Sequence, residues 1–542
     1  VTHRLAWTFL ALAGLAGCAR RPEAPAGPPA QILRISQINE PATLDPALAA
    51  LPDDFFVIRA LSEGLVTPGP DGAPAQPAAA DQWEAEPDGV TWVFHLHPGA
   101  RWSNGEPVTA ADFVDSYRRV LTPGTAAPKA NLLFMVKNAR DYASGRLTDF
   151  STVGFLAPDP LTLVVTLEQP MPQFLDYVAS GPWIPVNPRV VERFGRRWTQ
   201  AGSYVGNGPF VLVQWMSDQR IVVRRNPLYH RPVPLDEIQF IRCDDRDSEE
   251  RAYRAGEIDV TMTVPMDKLD AYVRERPAEL RRAPLAETRF LCFNLNRPPL
   301  DDLRVRRALS LSLDRSQLAR DVLRGGQQPA FRLLPPGIRL PGDMASDLTG
   351  NLFSVDSAEA QGDRTTASRN DEARRLLAEA GFPGGRGFPR LVLAGWSHTP
   401  ILEAVQDMWL KNLGIRVAID VLEARVYEEA LRTGQFDIGF MTLIPDVADP
   451  LAALGRFATD AVDNYAHWSD PEFDSELAEA ARQTDPALEA ADLRKAESRL
   501  LDAQPIAPLY FNARNWLMRP EVKGWQEDQI LTRNYLGVSI GR

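Results

Sequence analysis

Two hydrophobic periods alternate along this chain, and that alternation limits the possible fold more than any other feature. In short runs the apolar residues recur at every second position. Residues 32–38 do so, then Trp92, Phe94 and Leu96 against Val93, His95 and His97, then residues 161–167. Period two marks a strand with one face inward. Residues 210–213 and 221–223 flank a hydrophilic turn, which predicts a hairpin. Elsewhere the period lengthens to that of a helix. Phe113, Tyr117, Val120 and Leu121 share one helical face, as do Val305, Ala308, Leu309, Ser312 and Leu313. Thr109 reads as the N-cap of the first of these helices, answered by Asp112. Residues 372–380 predict another helix, stopped by Gly381, while residues 343–370 lack a period and read as a surface loop. Both periods together predict an α/β fold, and a body of about 510 residues is too long for one ordinary domain.

The first thirty residues stand apart. Arg4 precedes an apolar stretch, residues 6–17, too short to span a bilayer, so residues 1–17 read as a signal peptide. The stretch ends in Leu15-Ala16-Gly17-Cys18, which resembles a bacterial lipobox. That resemblance implies lipidation of Cys18, which cleavage leaves as the new N-terminus. Residues 18–30 then form a Pro/Ala-rich tether that stays extended, with a reach of roughly 35 Å. The net charge of -12 supplies no basic face for nucleic acid. Cys243 and Cys292 sit in strand-like contexts, and both a disulfide and two buried thiols remain open.

Catalytic arrangements are not readable. There is no P-loop, H-E-x-x-H or C-x-x-C, and the chain is read as having no G-x-S-x-G nucleophile elbow. His95 and His97 share a strand face, but two ligands make a weak metal site; His230 and His467 sit in turns without evident partners. The expectation is a protein that is not an enzyme and has no metal and no cofactor.

Several separated clusters occur in a telling order. Trp92-Val93-Phe94-His95-Leu96 is followed by Trp102-Ser103-Asn104-Gly105 and by Val108-Thr109-Ala110-Ala111-Asp112-Phe113-Val114. Asn207-Gly208-Pro209-Phe210, Arg225-Asn226-Pro227-Leu228-Tyr229, Leu303-Arg304-Val305-Arg306-Arg307-Ala308-Leu309 and Leu313-Asp314-Arg315 come next. Ala466-His467-Trp468-Ser469-Asp470-Pro471 and Phe511-Asn512-Ala513-Arg514 complete the series. In this the chain closely resembles the large peptide and nickel (family 5) solute-binding proteins of ABC importers, and most of all the oligopeptide-binding lipoproteins. The resemblance covers nearly the whole body. It implies a periplasmic binding protein type II-like fold, two lobes with a hinge of crossing strands plus an extra third domain. Lobe 1 would comprise residues 31–61, 188–287 and 511–542, the extra domain 62–187, and lobe 2 288–510.

Binding many peptide sequences requires reading the backbone, by adding the peptide as a strand and enclosing it between domains. A buried terminal ammonium then needs a fixed anion. By resemblance that anion is Asp446. Thr442 and Ile444 would offer backbone groups beside Leu443, Leu51 would face the peptide from the first lobe, and His398 would meet a peptide carboxylate. The chain departs from the family at Leu443 and Ala424, where tryptophans are common, at Phe440, an arginine position, and at Lys129, a tyrosine position. Arg432, one position displaced, is the expected substitute cation. The implied protein is a monomer that delivers oligopeptides to ABC permease subunits from a lipid anchor. Alternatives are the same fold holding a dipeptide, a nickel chelate, haem or another small solute, or an envelope enzyme or chaperone acting on peptides.

Overall fold

The structure, a computed structural model, describes residues 30–69, 73–341, 366–397 and 399–541. The signal peptide, Cys18, nearly all of the tether and His398 lie outside the described residues, as do positions 343–365 of the expected loop.

The chain opens with β1 (Ile32–Gln37) and α1 (Pro52–Leu61). It then leaves to build an antiparallel sheet from β2 (Ala80–Ala85), β3 (Thr91–Leu96), β4 (Phe155–Asp159) and β5 (Thr162–Thr166), in the order β2–β3–β5–β4. Helix α2 (Ala110–Leu121) lies in this part. Its expected cap is present: the Thr109 N–H donates to Asp112 Oδ2 at 2.9 Å and the Asp112 N–H to the Thr109 hydroxyl at 3.4 Å. The same Asp112 carboxylate accepts the indole N–H of fully buried Trp102 at 3.2 Å. Gly105, at φ +92°, makes the turn between them possible.

The chain returns to β1 through the hairpin β6 (Phe210–Met216) and β7 (Arg220–Arg225), then β8 (Glu237–Arg242), which runs parallel to β1. Asn207 ties this return to α1, exchanging two 3.0 Å hydrogen bonds with the backbone of Glu63. Gly208 packs so closely there that a Cβ would fall 2.5 Å from the Ser62 nitrogen.

Two long strands then join the lobes. β9 (Leu280–Phe293) pairs antiparallel with a later strand, Ile506–Leu517. At one end Trp516 packs into the first lobe's core with Leu33 and Phe240; at the other, Leu291, Phe293 and Leu509 lie in the second lobe's. Their register slips between Pro284 and Thr288, which bends the pair between the lobes. The second lobe adds α3 (Leu303–Leu311), β10 (Gln328–Pro329), α4 (Thr366–Glu379), β11 (Val392–Gly395), α5 (Pro400–Leu413), β12 (Ala418–Val421), α6 (Ala424–Arg432), β13 (Ile438–Leu443) and α7 (Pro486–Ala503). With the joining strand as β14, its sheet runs β10–β14–β9–β13–β11–β12 and is covered by apolar cores on both faces. Helix α4 begins six residues before the expected start at 372, so residues 366–370 are helix, not loop. Arg369, Ala373 and Leu377 form its buried stripe at four-residue spacing, and an arginine at the head of the stripe hid it in the sequence. Beyond β14 the chain packs back on its beginning: the Tyr535 hydroxyl donates to the Phe56 carbonyl at 3.0 Å and the Ile540 N–H to Gln31 Oε1 at 2.7 Å.

Candidate functional site

The loop that follows β13, residues 444–449, carries lobe 2 onto the extra domain. Its apolar contact is Val447, buried in the same core as Leu132, Tyr177 and Trp183. Polar contacts flank it. The Tyr177 hydroxyl donates to Asp449 at 2.6 Å, and Gln173 Nε2 to Glu489 at 2.6 Å. Lys129 pairs with Asp446. Lobe 2 is thus held against the extra domain.

Beside this seam lies a cavity of about 240 Å³. Its wall comes from the extra domain (Pro68, Ala73, Gln173, Asp176, Ala179), from lobe 2 (Leu340, Val447, Ala448, Pro450) and from the returning segment (Asp528, Gln529, Ile530). Mostly apolar walls with a few polar groups, supplied by several parts of the chain, are the usual form of a small-molecule site. Burial raises the Asp176 carboxyl to about 6, helped by the nearby charge of Asp449, and burial raises Asp528 to about 6. Asp449 and Glu489 are also pushed up by burial.

The expected site residues have different fates. Leu51 and Ile444 are exposed, at 55% and 48%. Thr442 donates its hydroxyl to Glu287 at 3.0 Å. Leu443 is corrected: at 1% exposure its side chain belongs to the core of lobe 2, because consecutive strand residues point to opposite faces. Arg432 is corrected too. It sits on the exposed side of α6, ion-paired with Glu429 at 2.7 Å. The cation over the Phe440 ring is Arg289 of β9, 5.8 Å from that ring and 5.1 Å from Trp396, and paired with Glu287. Arg289, Glu287, Trp396 and Tyr177 were missed. Arg289 lies opposite Thr442 in the sheet, but more than 150 residues separate that strand pair in sequence (Thr442 and Glu287 are 155 apart), so no local pattern marks it.

Two readings of possible chemistry also change. The pattern G-x-S-x-G does occur, at Gly537-Val538-Ser539-Ile540-Gly541. Ser539 and Ile540 form a two-residue strand against Val522 and Lys523, so Ser539 is not at a strand-to-helix elbow. His95 faces Glu84, whereas the His97 ring stands 4.5 Å from that of His230. Glu63 lies 3.7 Å from His230 without a hydrogen bond between them, and burial lowers the pKa of His230 to about 4. Cys243 and Cys292 are both free and buried.

The family model for bacterial extracellular solute-binding proteins, family 5 (middle region), matches residues 75–465. The chain belongs to this family. It is 32% identical over 503 residues to the probable deoxycholate-binding periplasmic protein YgiS of Escherichia coli (strain K12), covering 92% of this chain and 91% of that one. It is 32% identical over 506 residues to the periplasmic oligopeptide-binding protein OppA of the same organism, covering 92% and 90%. Its fold matches that of Haemophilus influenzae OppA in complex with RPPGFSPFR with a TM-score of 0.77 at 30% identity, over 95% and 99% of the two chains. The architecture is accordingly the two-lobed, type II-like fold of family 5 binding proteins, and the slipped β9–β14 pair stands where its lobes join.

Proposed function

We propose that this protein captures oligopeptides between its lobes outside the cytoplasm and delivers them to the permease subunits of an ABC importer, without chemistry on the ligand. The observation that carries this reading is the cavity walled jointly by the extra domain, lobe 2 and the returning segment. A ligand there touches every part that must come together, so it favours the closed form by mass action. Lobe 2, residues 288–510, would swing about the register slip in β9–β14. Exposed Leu51 and Ile444 are the apolar groups offered to an extended ligand, with the backbone at Thr442. His398 would face its carboxylate end, and Arg289 is a better-placed cation than Arg432. Cys18 would carry the lipid that holds a monomer at the membrane. The names of two relatives, OppA of Escherichia coli and of Haemophilus influenzae, support a peptide as cargo.

A second reading is favoured by the apolar cavity wall and by the engagement of Asp446 with Lys129. In it the solute is largely apolar and brings no amine, and the name of YgiS gives deoxycholate, not a peptide, as the probable ligand of that protein. Native mass spectrometry of the purified protein separates the two. A ladder of retained masses that fit short peptides is the expected result. One non-peptide mass would end the peptide reading, and shortened peptides after incubation would mean an enzyme.

A further inference from the structure

The short helix Phe174–Val178 of the extra domain buries Phe174, Tyr177 and Val178 in that domain's core. Asp176, two positions on from Phe174, turns to the other side of the helix and lines the cavity. Its carboxylate is unengaged: among the described residues no donor or cation holds it, and only burial and the charge of Asp449 act on it. Arg339 reaches the same cavity but is not among the charges acting on Asp176. Asp176 keeps accessible surface because it borders that open space, yet the protein packed around it raises the carboxyl to about 6. The returning segment supplies further polar groups. Asp528 has one carboxylate oxygen taken by the N–H groups of Ile530, at 3.0 Å, and Thr532, at 2.6 Å. Gln529 Oε1 is a buried acceptor with no hydrogen bond, packed so close to Gly337 that a Cβ there would fall 2.1 Å from it. Gln529 and Gly337 both line the cavity, as do the aliphatic groups of Leu340, Val447 and Ile530.

We infer that Asp176 is a specificity-determining residue and that the cavity is a pocket for one basic side chain of the ligand, an arginine or a lysine. The inference rests on the peptide reading above and narrows it to peptides that carry such a side chain. A volume of about 240 Å³ suits a single long side chain and not a whole peptide. Asp176 and Gln529 Oε1 are both acceptors, so the group that fits them is a donor; a guanidinium brings five N–H donors and an ammonium three. A nearby cation favours the ionised carboxylate that burial disfavours, so the ligand relieves a cost that Asp176 otherwise carries. The aliphatic stem of the same side chain packs on Leu340, Val447 and Ile530 while its head reaches the acid. A neutral side chain leaves Asp176 unpaired, and an acidic one opposes it.

The test is calorimetry and native mass spectrometry at pH 7.5 with two tetrapeptide pools identical except at one position, which holds arginine in one and citrulline, its uncharged isostere, in the other. The wild type should hold the arginine pool at least tenfold more tightly. Asp176→Asn, which removes a charge and no hydrogen bond, should abolish the preference, and Asp176→Glu should retain it. Equal affinity of the wild type for the two pools, or an arginine preference that survives Asp176→Asn, overturns the role of Asp176 while leaving the peptide reading intact. If neither pool binds to any of the three proteins, the peptide reading falls and takes this inference with it.

Discussion

Two charged clusters in this molecule make opposite use of burial. Near the hinge, Glu527 lies between Arg514 and Arg533, with all three side chains almost wholly buried. Burial alone would raise the Glu527 carboxyl, yet the two guanidinium groups hold it below the ordinary range. Arg533 is further seated 3.6 Å over the Phe56 ring and 5.3 Å from that of Trp525. Across the seam between the extra domain and lobe 2, by contrast, Asp176, Asp449 and Glu489 crowd together and all three are pushed upward. The first cluster has more cations than anions and lies wholly within residues 511–542. The second is rich in acid and, on the proposed function, contains the contacts that part when a ligand enters or leaves. A permanent joint tolerates dry, complementary charge; a separable one is built from groups whose attraction is marginal.

Breaking the permanent cluster should have the largest effect. Glu527→Ala leaves two buried arginines without their anion and should cost about 3–5 kcal/mol, read as a lower urea midpoint with an unchanged slope. Next comes the seam. Tyr177→Phe removes a hydrogen bond to a buried carboxylate and should weaken closure by about 2 kcal/mol. This appears as lost ligand affinity and a larger ligand-free radius of gyration, with the urea midpoint nearly unmoved. Equal losses in stability from both variants would erase the distinction between the clusters. The smallest effect is that of pH. The seam carboxyls bind protons more tightly closed than open, so closure gains strength as pH falls through the value of about 6 held by Asp176, and is fully strengthened only below the ordinary carboxylate range. It loses that contribution above about 6. Scattering from the ligand-free protein at pH 5 and pH 7.5 should show the more compact form at pH 5, and Asp176→Asn should flatten the response.

The sequence made the scaffold legible because its signals are local. The Thr109–Asp112 cap, the Trp102 turn and the 210–225 hairpin each lie within a few residues of their causes. The clusters that carried the family resemblance are also structural: Asn226 holds Gly208, Arg306 caps the carbonyls of Ala503 and Gln504, and Arg315 binds those of Ser310 and Pro508. The seam was not legible. Tyr177 and Asp449 are 272 residues apart, and nothing near either one announces the other. For the same reason Arg432 stood in for Arg289, since neighbours in a sheet need not be neighbours in the chain. Lys129 was noticed only as a departure, and its partnership with Asp446 needed the fold.

The packing of residues 533–540 against Gln31 and Phe56 bears on when the protein can fold at all. The first lobe's sheet is complete by residue 242, but the contacts that close its core span 479 and 509 residues, with lobe 2 made in between. A chain folding from its amino end therefore holds the first lobe without these closing contacts until almost all of it is available. Such long-range closure is slow. It makes the far end of the chain the part that completes the first lobe.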